Sequence, residues 1–355
     1  MEKDKILSAY YSYSASDPLQ PEDIDGSLLT HLIVGWSTID STGHLTFSSD
    51  YDDGFRRCVL LRQKFPHLKV MLTCGGGGPE FSNAAHNPVL RAMFIRSALD
   101  VLDRFGFDGL DIDWEFPVWR SRSYDRQSFI EWLRDIRVAF DAHKSPLLLT
   151  IAAASPKLII DPAYDIPAIS SCVDFVNLMC YDFNLFTYYN IWASHNAPLY
   201  KRPEQAGFFS TMNTAWAAEY WVEKGLAREK LAVGVPTYAR SWKLLFPCWH
   251  SYNAVCTGPG VDNGFLTYPK AVDILTNGGT RIFDQNACVP YMYRGRQWIS
   301  YEDEESIQLK AQWIRKHQFG GAMVFSLNQD DFKGVFSSSG EPFPLTRILS
   351  SIVKK

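Results

Sequence analysis

Short apolar runs rich in β-forming residues alternate with helical patterns from one end of the 355-residue chain to the other. Strands are predicted at residues 5–11, 29–36, 69–73, 107–115, 147–154, 175–181, 231–238 and 321–327. Helices are predicted between them at 52–64, 88–105, 125–143, 212–224 and 304–317. Strand followed by helix, repeated, is the signature of a parallel sheet with crossover helices. Eight such strands, each leading outward to a helix, favour closure over an open sheet. The expected fold class is therefore α/β, a (β/α)8 TIM barrel, with its active site at the carboxyl ends of the strands. One stretch breaks the rhythm. Residues 241–300 are Gly- and aromatic-rich with short strand-like pieces such as VPYMYRGRQWISYED. They read as a small α+β insertion between the seventh strand and the eighth, leaving 1–240 and 301–355 as the barrel. There are no internal repeats, low-complexity segments or linkers.

Within the fourth predicted strand, FDGLDIDWEFP at 107–117 holds Asp108, Asp111, Asp113 and Glu115. Asp111, Asp113 and Glu115 occupy alternate positions with Ile112 and Trp114 between them, so strand geometry sends the acids to one face and the apolar pair to the other. Stacking like charges in an apolar segment is costly, because each disfavours ionisation of its neighbours. A solvated strand face does not account for the apolar flanks. An EF-hand loop needs a Gly at its sixth position and a Glu at its twelfth, and this segment has neither. A catalytic carboxylate array fits better, with Glu115 at the barrel mouth just before Pro117.

Composition narrows the partners. The net charge of -4 offers no electrostatic case for nucleic acid or an anionic membrane. No stretch approaches the roughly 20 apolar residues of a membrane span. The apolar run near the amino terminus is too short for a secretory leader, and N-x-S/T sequons are absent. Seven cysteines without a C-x-x-C give no zinc or redox motif. Cys74, Cys172 and Cys180 lie in or beside apolar runs as expected buried thiols, whereas Cys248, Cys256 and Cys288 fall in a loop-rich region able to supply one disulfide. Aromatic residues make up 14% of the chain, which suits either a large core or a cleft that stacks sugar rings.

Other strand ends converge on the same mouth. NLMCYDF supplies Met179, Tyr181 and Asp182; VGVPTYARSW supplies Tyr238 and Arg240; MLTCGGGG ends in glycines that tolerate unusual backbone angles near a ligand. Together these motifs resemble family-18 glycoside hydrolases, the chitinase and chitinase-like group. The D-x-x-D-x-D-x-E strand matches Asp108, Asp111, Asp113 and Glu115. The S-x-G-G strand resembles Thr73–Gly76, M-x-Y-D matches Met179, Tyr181 and Asp182, and Y-x-R matches Tyr238 and Arg240. HNAPLYKR at 195–202 and GGAMVFSLNQDDFKG at 320–334 are also similar, so the likeness runs from Tyr10 to Phe332.

The resemblance implies hydrolysis of β-1,4-linked N-acetylglucosamine oligomers or chitin by a retaining mechanism in which the substrate's own acetamido group is the nucleophile. Glu115 is then the general acid. Asp113 orients the acetamido N–H, Asp111 shares a proton with Asp113, and Tyr181 holds the acetamido carbonyl. Tyr10, Trp36, Gly75, Gly76, Met179, Asp182, Tyr238, Arg240 and Phe325 line the substrate path. No metal or organic cofactor is implied. The resemblance also implies a secreted monomer whose partner is chitin or a chitooligosaccharide. Three departures stand out. Phe325 replaces the usual Trp in G-G-A-M-V-W, Gly77 stands where a Trp commonly follows the glycines, and Ser14 replaces another near the first strand. Trp36, Phe116, Trp119, Phe186, Tyr188, Trp192 and Trp242 are the aromatics able to compensate. A chitinase-like binding protein and an enzyme for another acetamido glycan are the alternative readings.

Overall fold

The computed structural model describes residues 5–119 and 121–354, so the ends of the expected barrel range, Met1–Asp4 and Lys355, lie outside the described residues. Seven barrel strands come first: β1 (Ile6–Ser12), β2 (His31–Ile39), β3 (Lys69–Gly76), β4 (Gly109–Trp114), β5 (Leu148–Ala154), β6 (Phe175–Met179) and β7 (Leu231–Pro236), with a two-residue strand at Leu45–Thr46 paired to the edge of β2. The chain then leaves for six strands of a second sheet, β8 (Tyr238–Leu244), β9 (Cys256–Pro259), β10 (Phe265–Thr267), β11 (Thr280–Asp284), β12 (Val289–Arg294) and β13 (Gln297–Ser300). It returns as β14 (Gly321–Phe325), which pairs in parallel with both β7 and β1. Since β1 also pairs with β2, eight parallel strands close into a (β/α)8 barrel. The second sheet is antiparallel throughout.

Local chemistry sets the boundaries around the acid strand. Asn87 caps the helix Pro88–Phe105 by accepting from Val89 N, and Pro88 sits where a missing N–H costs nothing. Gly106, at φ +80, ends that helix in the left-handed conformation and turns the chain directly into β4. The alternation of β4 works as the sequence predicts. Trp114 points outward into the layer between strands and helices, edge-on to Phe129 at 5.5 Å and Trp132 at 6.3 Å. Truncating so large a buried ring to alanine costs about 3–5 kcal/mol. Asp111 and Asp113 point inward, among a smaller inner core that includes Tyr10, Met71, Phe175, Tyr238 and Met323.

The differences from expectation are local. The helices Pro79–His86, Lys157–Ala163, Ile166–Cys172 and Pro344–Val353 were not predicted. The first three run eight residues or fewer, too short to display a 3.6-residue period, and Pro162 lies inside one of them. The seventh barrel strand stops at Pro236, so Tyr238 and Arg240 belong to β8 of the second sheet. All seven cysteines are free, and no disulfide joins Cys248, Cys256 and Cys288. Cys256 instead donates to Ala254 O and Cys288 to Gln285 O. No described helix is long and apolar enough to cross a membrane.

Candidate active site

The site begins with Asp111, fully buried in the barrel interior. Its Oδ2 accepts from the Tyr10 hydroxyl at 2.8 Å and Thr73 Oγ1 at 3.0 Å. Its Oδ1 accepts from Thr150 Oγ1 at 2.6 Å and Asn177 Nδ2 at 3.3 Å. Donors from four strands thus converge on one carboxyl, with Ser8 of β1 extending the network through Asn177. Burial pushes the Asp111 pKa up, and the donors pull against it without cancelling it.

Two residues along, Asp113 is 4% exposed and its Oδ1 has no donor among the described residues. Burial, Glu115 and Asp111, in that order, raise its pKa well above the usual carboxylate range. Glu115 stands at the lip. Its backbone N–H still extends the ladder to Gly76 O at 2.9 Å, but its side chain reaches solvent. Surrounding protein and then the charge of Asp182 raise its pKa as well. Access to water limits what that shift contributes to folding, while leaving Glu115 free to meet a substrate. The fourth acid of the motif lies elsewhere. Asp108 sits at the opposite end of the strand, accepting from Val70 N and pairing with Arg62 at 3.0 Å and Lys69 at 3.5 Å.

Opposite the acids, Tyr181 is buried under the ring of Phe325, stacked at 5.4 Å and 29°. Among the described residues its hydroxyl finds only the soft sulfur of Met323, at 4.0 Å, which leaves a strong donor at the pocket wall. Asp182, at φ 53, receives a two-pronged contact from Arg240, Nε to Oδ1 at 2.7 Å and Nη2 to Oδ2 at 2.5 Å. The Arg240 guanidinium lies over the rings of Tyr238 and Phe265, each at 5.2 Å. Phe325 is ringed by Tyr10 at 5.6 Å, Tyr181 at 5.4 Å, Tyr238 at 6.3 Å and Trp36 at 6.4 Å.

These groups enclose a cavity of about 180 Å³ lined by Tyr10, Asp113, Glu115, Ala152, Met179, Tyr181, Asp182, Tyr238, Arg240, Phe265 and Phe325. The remaining expected residues stand behind this wall. Asp111 anchors Tyr10, and Trp36 stacks on Tyr10 at 6.1 Å. A side chain at Gly75 would come within 2.7 Å of the Trp36 ring and 3.4 Å of Asp113 Oδ2. Gly76 faces Phe81. At Gly77 a Cβ would lie 2.3 Å from the carbonyl oxygen of Glu115, so the backbone there can pass the acid only as glycine. Ala152 and Phe265 were missed. Phe265 comes from the insertion, stacked on Tyr238 at 4.9 Å, and only long-range folding brings it in. Trp242, considered above as a sugar platform, is fully buried against Trp298 in the insertion core. Among the described residues no group of three His, Cys, Asp or Glu is arranged to hold a metal ion.

The arrangement is that of two acids with raised pKa values, one exposed and one hidden, facing hydroxyl and guanidinium donors across an aromatic floor. The glycosyl hydrolases family 18 model matches residues 6–330. Chitotriosidase-1 of Mus musculus is 37% identical over 344 residues, covering 93% of this chain and 73% of that protein. The immunomodulatory active chitinase TsES1 of Trichuris suis superimposes with a TM-score of 0.92 at 29% identity, covering 98% of this chain and 99% of that one. Human YKL-39, described as a pseudo-chitinase with retained chitooligosaccharide binding, gives a TM-score of 0.90 at 29% identity, covering 98% of this chain and 99% of that one. With its motif strand in the barrel and this agreement along nearly its whole length, the chain belongs to glycosyl hydrolase family 18.

Proposed function

We propose that the protein is an endo-acting hydrolase of β-1,4-linked N-acetylglucosamine oligomers or chitin, working by substrate-assisted retention. One observation carries the reading. Asp113 and Glu115 share one pocket with raised pKa values, the first hidden with an unpartnered oxygen and the second open to solvent. Family membership alone does not decide turnover, because its members include a pseudo-chitinase.

In this mechanism Glu115, whose pKa its surroundings raise, gives its proton to the glycosidic oxygen as the C–O bond breaks. The acetamido oxygen of the same sugar attacks the anomeric carbon from the other face, forming a cyclic oxazolinium ion. Asp113 Oδ1 accepts the acetamido N–H and offsets the positive charge that develops, while the Tyr181 hydroxyl holds the acetamido oxygen in line. Water, activated by the Glu115 carboxylate left by the first step, then opens the ion at the anomeric carbon. Two displacements restore the original configuration and return the proton to Glu115. Asp182 and Arg240 hydrogen-bond the neighbouring sugar. A secreted monomer is part of the same reading; light scattering of the purified protein and its recovery from the culture medium of expressing cells test those two points.

Release of fluorophore from a chitobioside or chitotrioside, abolished in Glu115→Gln, tests the function. A first-formed product of inverted configuration rules out the acetamido route. The second reading, a glycan-binding protein without useful turnover, is favoured by Phe325 and Gly77, which take aromatic area away from the cleft. Tight oligosaccharide binding with no fluorophore release would establish it.

A further inference from the structure

A second cavity, of about 330 Å³, opens beside the carboxylate pocket and takes none of its residues. Asp182 lines the first and Asn184 the second, with buried Phe183 between them, so the two cavities adjoin along this one segment of chain. The volume sits at the lower end of the usual ~300–1,000 Å³ for small-ligand pockets. Its walls come from the long segment after β6 and from the insertion.

The walls are aromatic faces rimmed by amides. Trp192 is 46% exposed, Phe209 is 64% exposed, and Tyr252 stands with them. Asn184 is anchored through Nδ2 to His195 O at 2.9 Å, and Asn253 through Oδ1 by the Ser194 hydroxyl at 3.3 Å. The other end of each amide, one acceptor and one donor, has no bond from the described residues. The charge at the rim is cancelled, because Glu204 is paired with Arg202. Flat apolar faces with neutral donors and acceptors at their edges match a pyranose, which offers C–H faces and equatorial hydroxyl or acetamido groups. They do not match an anion or a wholly apolar ligand.

The platform is also held rigidly. Residues around Trp192 are laced to the insertion through Cys256 N to Ile191 O at 2.7 Å, Ala193 N to Ala254 O at 2.9 Å and Asn253 N to Ala193 O at 2.8 Å. Cys256 opens β9, which pairs with β8, the strand that carries Tyr238 and Arg240 into the carboxylate pocket. One antiparallel framework therefore fixes both cavities relative to each other.

We infer that this cavity is an outlying sugar-binding subsite, built on Trp192 and Phe209, that holds units of the same N-acetylglucosamine chain beyond the carboxylate pocket. The inference rests on the proposed glycan substrate and adds to it a preference for longer chains. The cleft itself is short of stacking area at Phe325 and Gly77, and the outlying platform supplies it at a distance.

The test uses the full chain carrying Glu115→Gln, titrated calorimetrically with di-N-acetylchitobiose and with the hexamer. Trp192→Ala should weaken hexamer binding about tenfold, equivalent to ~1.4 kcal/mol, and leave the dimer's affinity unchanged. Phe209→Ala, at a more exposed position, should act in the same direction with no change in melting temperature, which guards against a folding defect at Trp192. Hexamer affinity unchanged in both variants, or dimer and hexamer weakened equally, overturns the subsite and leaves the hydrolase reading standing. If the Glu115→Gln chain binds neither oligomer, the glycan reading falls and the subsite with it.

Discussion

Two groups of buried acids in this molecule meet opposite fates. Where the insertion joins the barrel, each acid has a cation. Glu302 pairs with Lys310, both about 1% exposed, and Lys310 also donates to Ala197 O at 2.5 Å. Asp284 accepts from His195 at 2.8 Å and from Arg202. Burial alone would raise the Asp284 pKa, but those two partners outweigh it and hold the carboxyl below its usual range. Burial keeps His195 below its normal pKa despite Asp284. The two directions are compatible if a neutral ring donates through Nε2, and the unpartnered Nδ1 agrees with that tautomer. In the barrel interior, Asp111 and Asp113 are equally buried, yet hydroxyl and amide donors are all that Asp111 receives and Asp113 Oδ1 receives nothing. At the junction the buried acids come with counter-charges; in the barrel interior Asp111 and Asp113 have none among the described residues.

The strongest way to break this contrast is kinetic. Glu115→Gln should lower turnover by roughly two to four orders of magnitude, the usual contribution of a general acid, while oligosaccharide affinity persists in calorimetry. Near-normal turnover would remove Glu115 from its role.

Next in size is stability at the paired site. Glu302→Gln strands the Lys310 ammonium in the interior, and removing one member of a buried pair typically costs about 3–5 kcal/mol. Denaturant unfolding should show that loss. A melting curve like that of the parent would mean that the pair is not what holds this junction.

The same acid-to-amide change at Asp113 should have the opposite sign. A carboxyl whose pKa in the fold lies above its unfolded value supports folding only while protonated. That contribution is complete below the unfolded pKa of about 3.9 and is lost as pH rises through the higher folded value. Asp113→Asn escapes the loss, so it should melt above the parent at pH 7 and converge with it below about pH 4. Its kcat should fall more than its KM changes, since the acetamido contact strengthens as charge develops. A variant less stable than the parent at pH 7 would contradict the shift. Asp284 runs the other way, because its depressed pKa gives stability that is present above about pH 3.9 and lost on acidification.

The smallest expected effect belongs to Phe325→Trp. Added ring area should tighten chitooligosaccharides by roughly two- to tenfold, in line with ~0.5–1.5 kcal/mol for an aromatic contact. Four neighbouring rings within 6.4 Å make crowding the opposing effect, typically about 1–3 kcal/mol of stability. Titration in the Glu115→Gln background, with melting temperatures alongside, separates the two. Unchanged affinity in a stable variant would show that position 325 is not the floor of the sugar site.

How much of this was legible beforehand follows from sequence separation. The acids in and beside β4 lie within eight residues, and the two-residue period of Asp111, Asp113 and Glu115 announced both the strand and the inward face. Tyr10, Tyr181 and Phe325 could be placed because each lies on a barrel strand or just past its end, and strand ends of such barrels share one mouth. Phe265 had no such marker, since its position depends on how the second sheet folds back on Tyr238. Nor did the sequence separate Trp192 from Trp242. Both sit in aromatic-rich segments, but one closes a core and the other opens onto a cavity. The motif also grouped Asp108 with three acids whose surroundings it does not share.

The close pass of Gly77 against the Glu115 carbonyl bears on how this chain can change over generations. Most surface losses are reversible by one codon, but any side chain at position 77 collides with the main chain of the residue expected to donate the proton. A tryptophan could stand there only after the loop had first shifted away from the acid strand, and a mutant library would have to cross that intermediate. Selection for stronger glycan binding therefore finds easier ground among the exposed rings beyond the cleft than in the cleft itself.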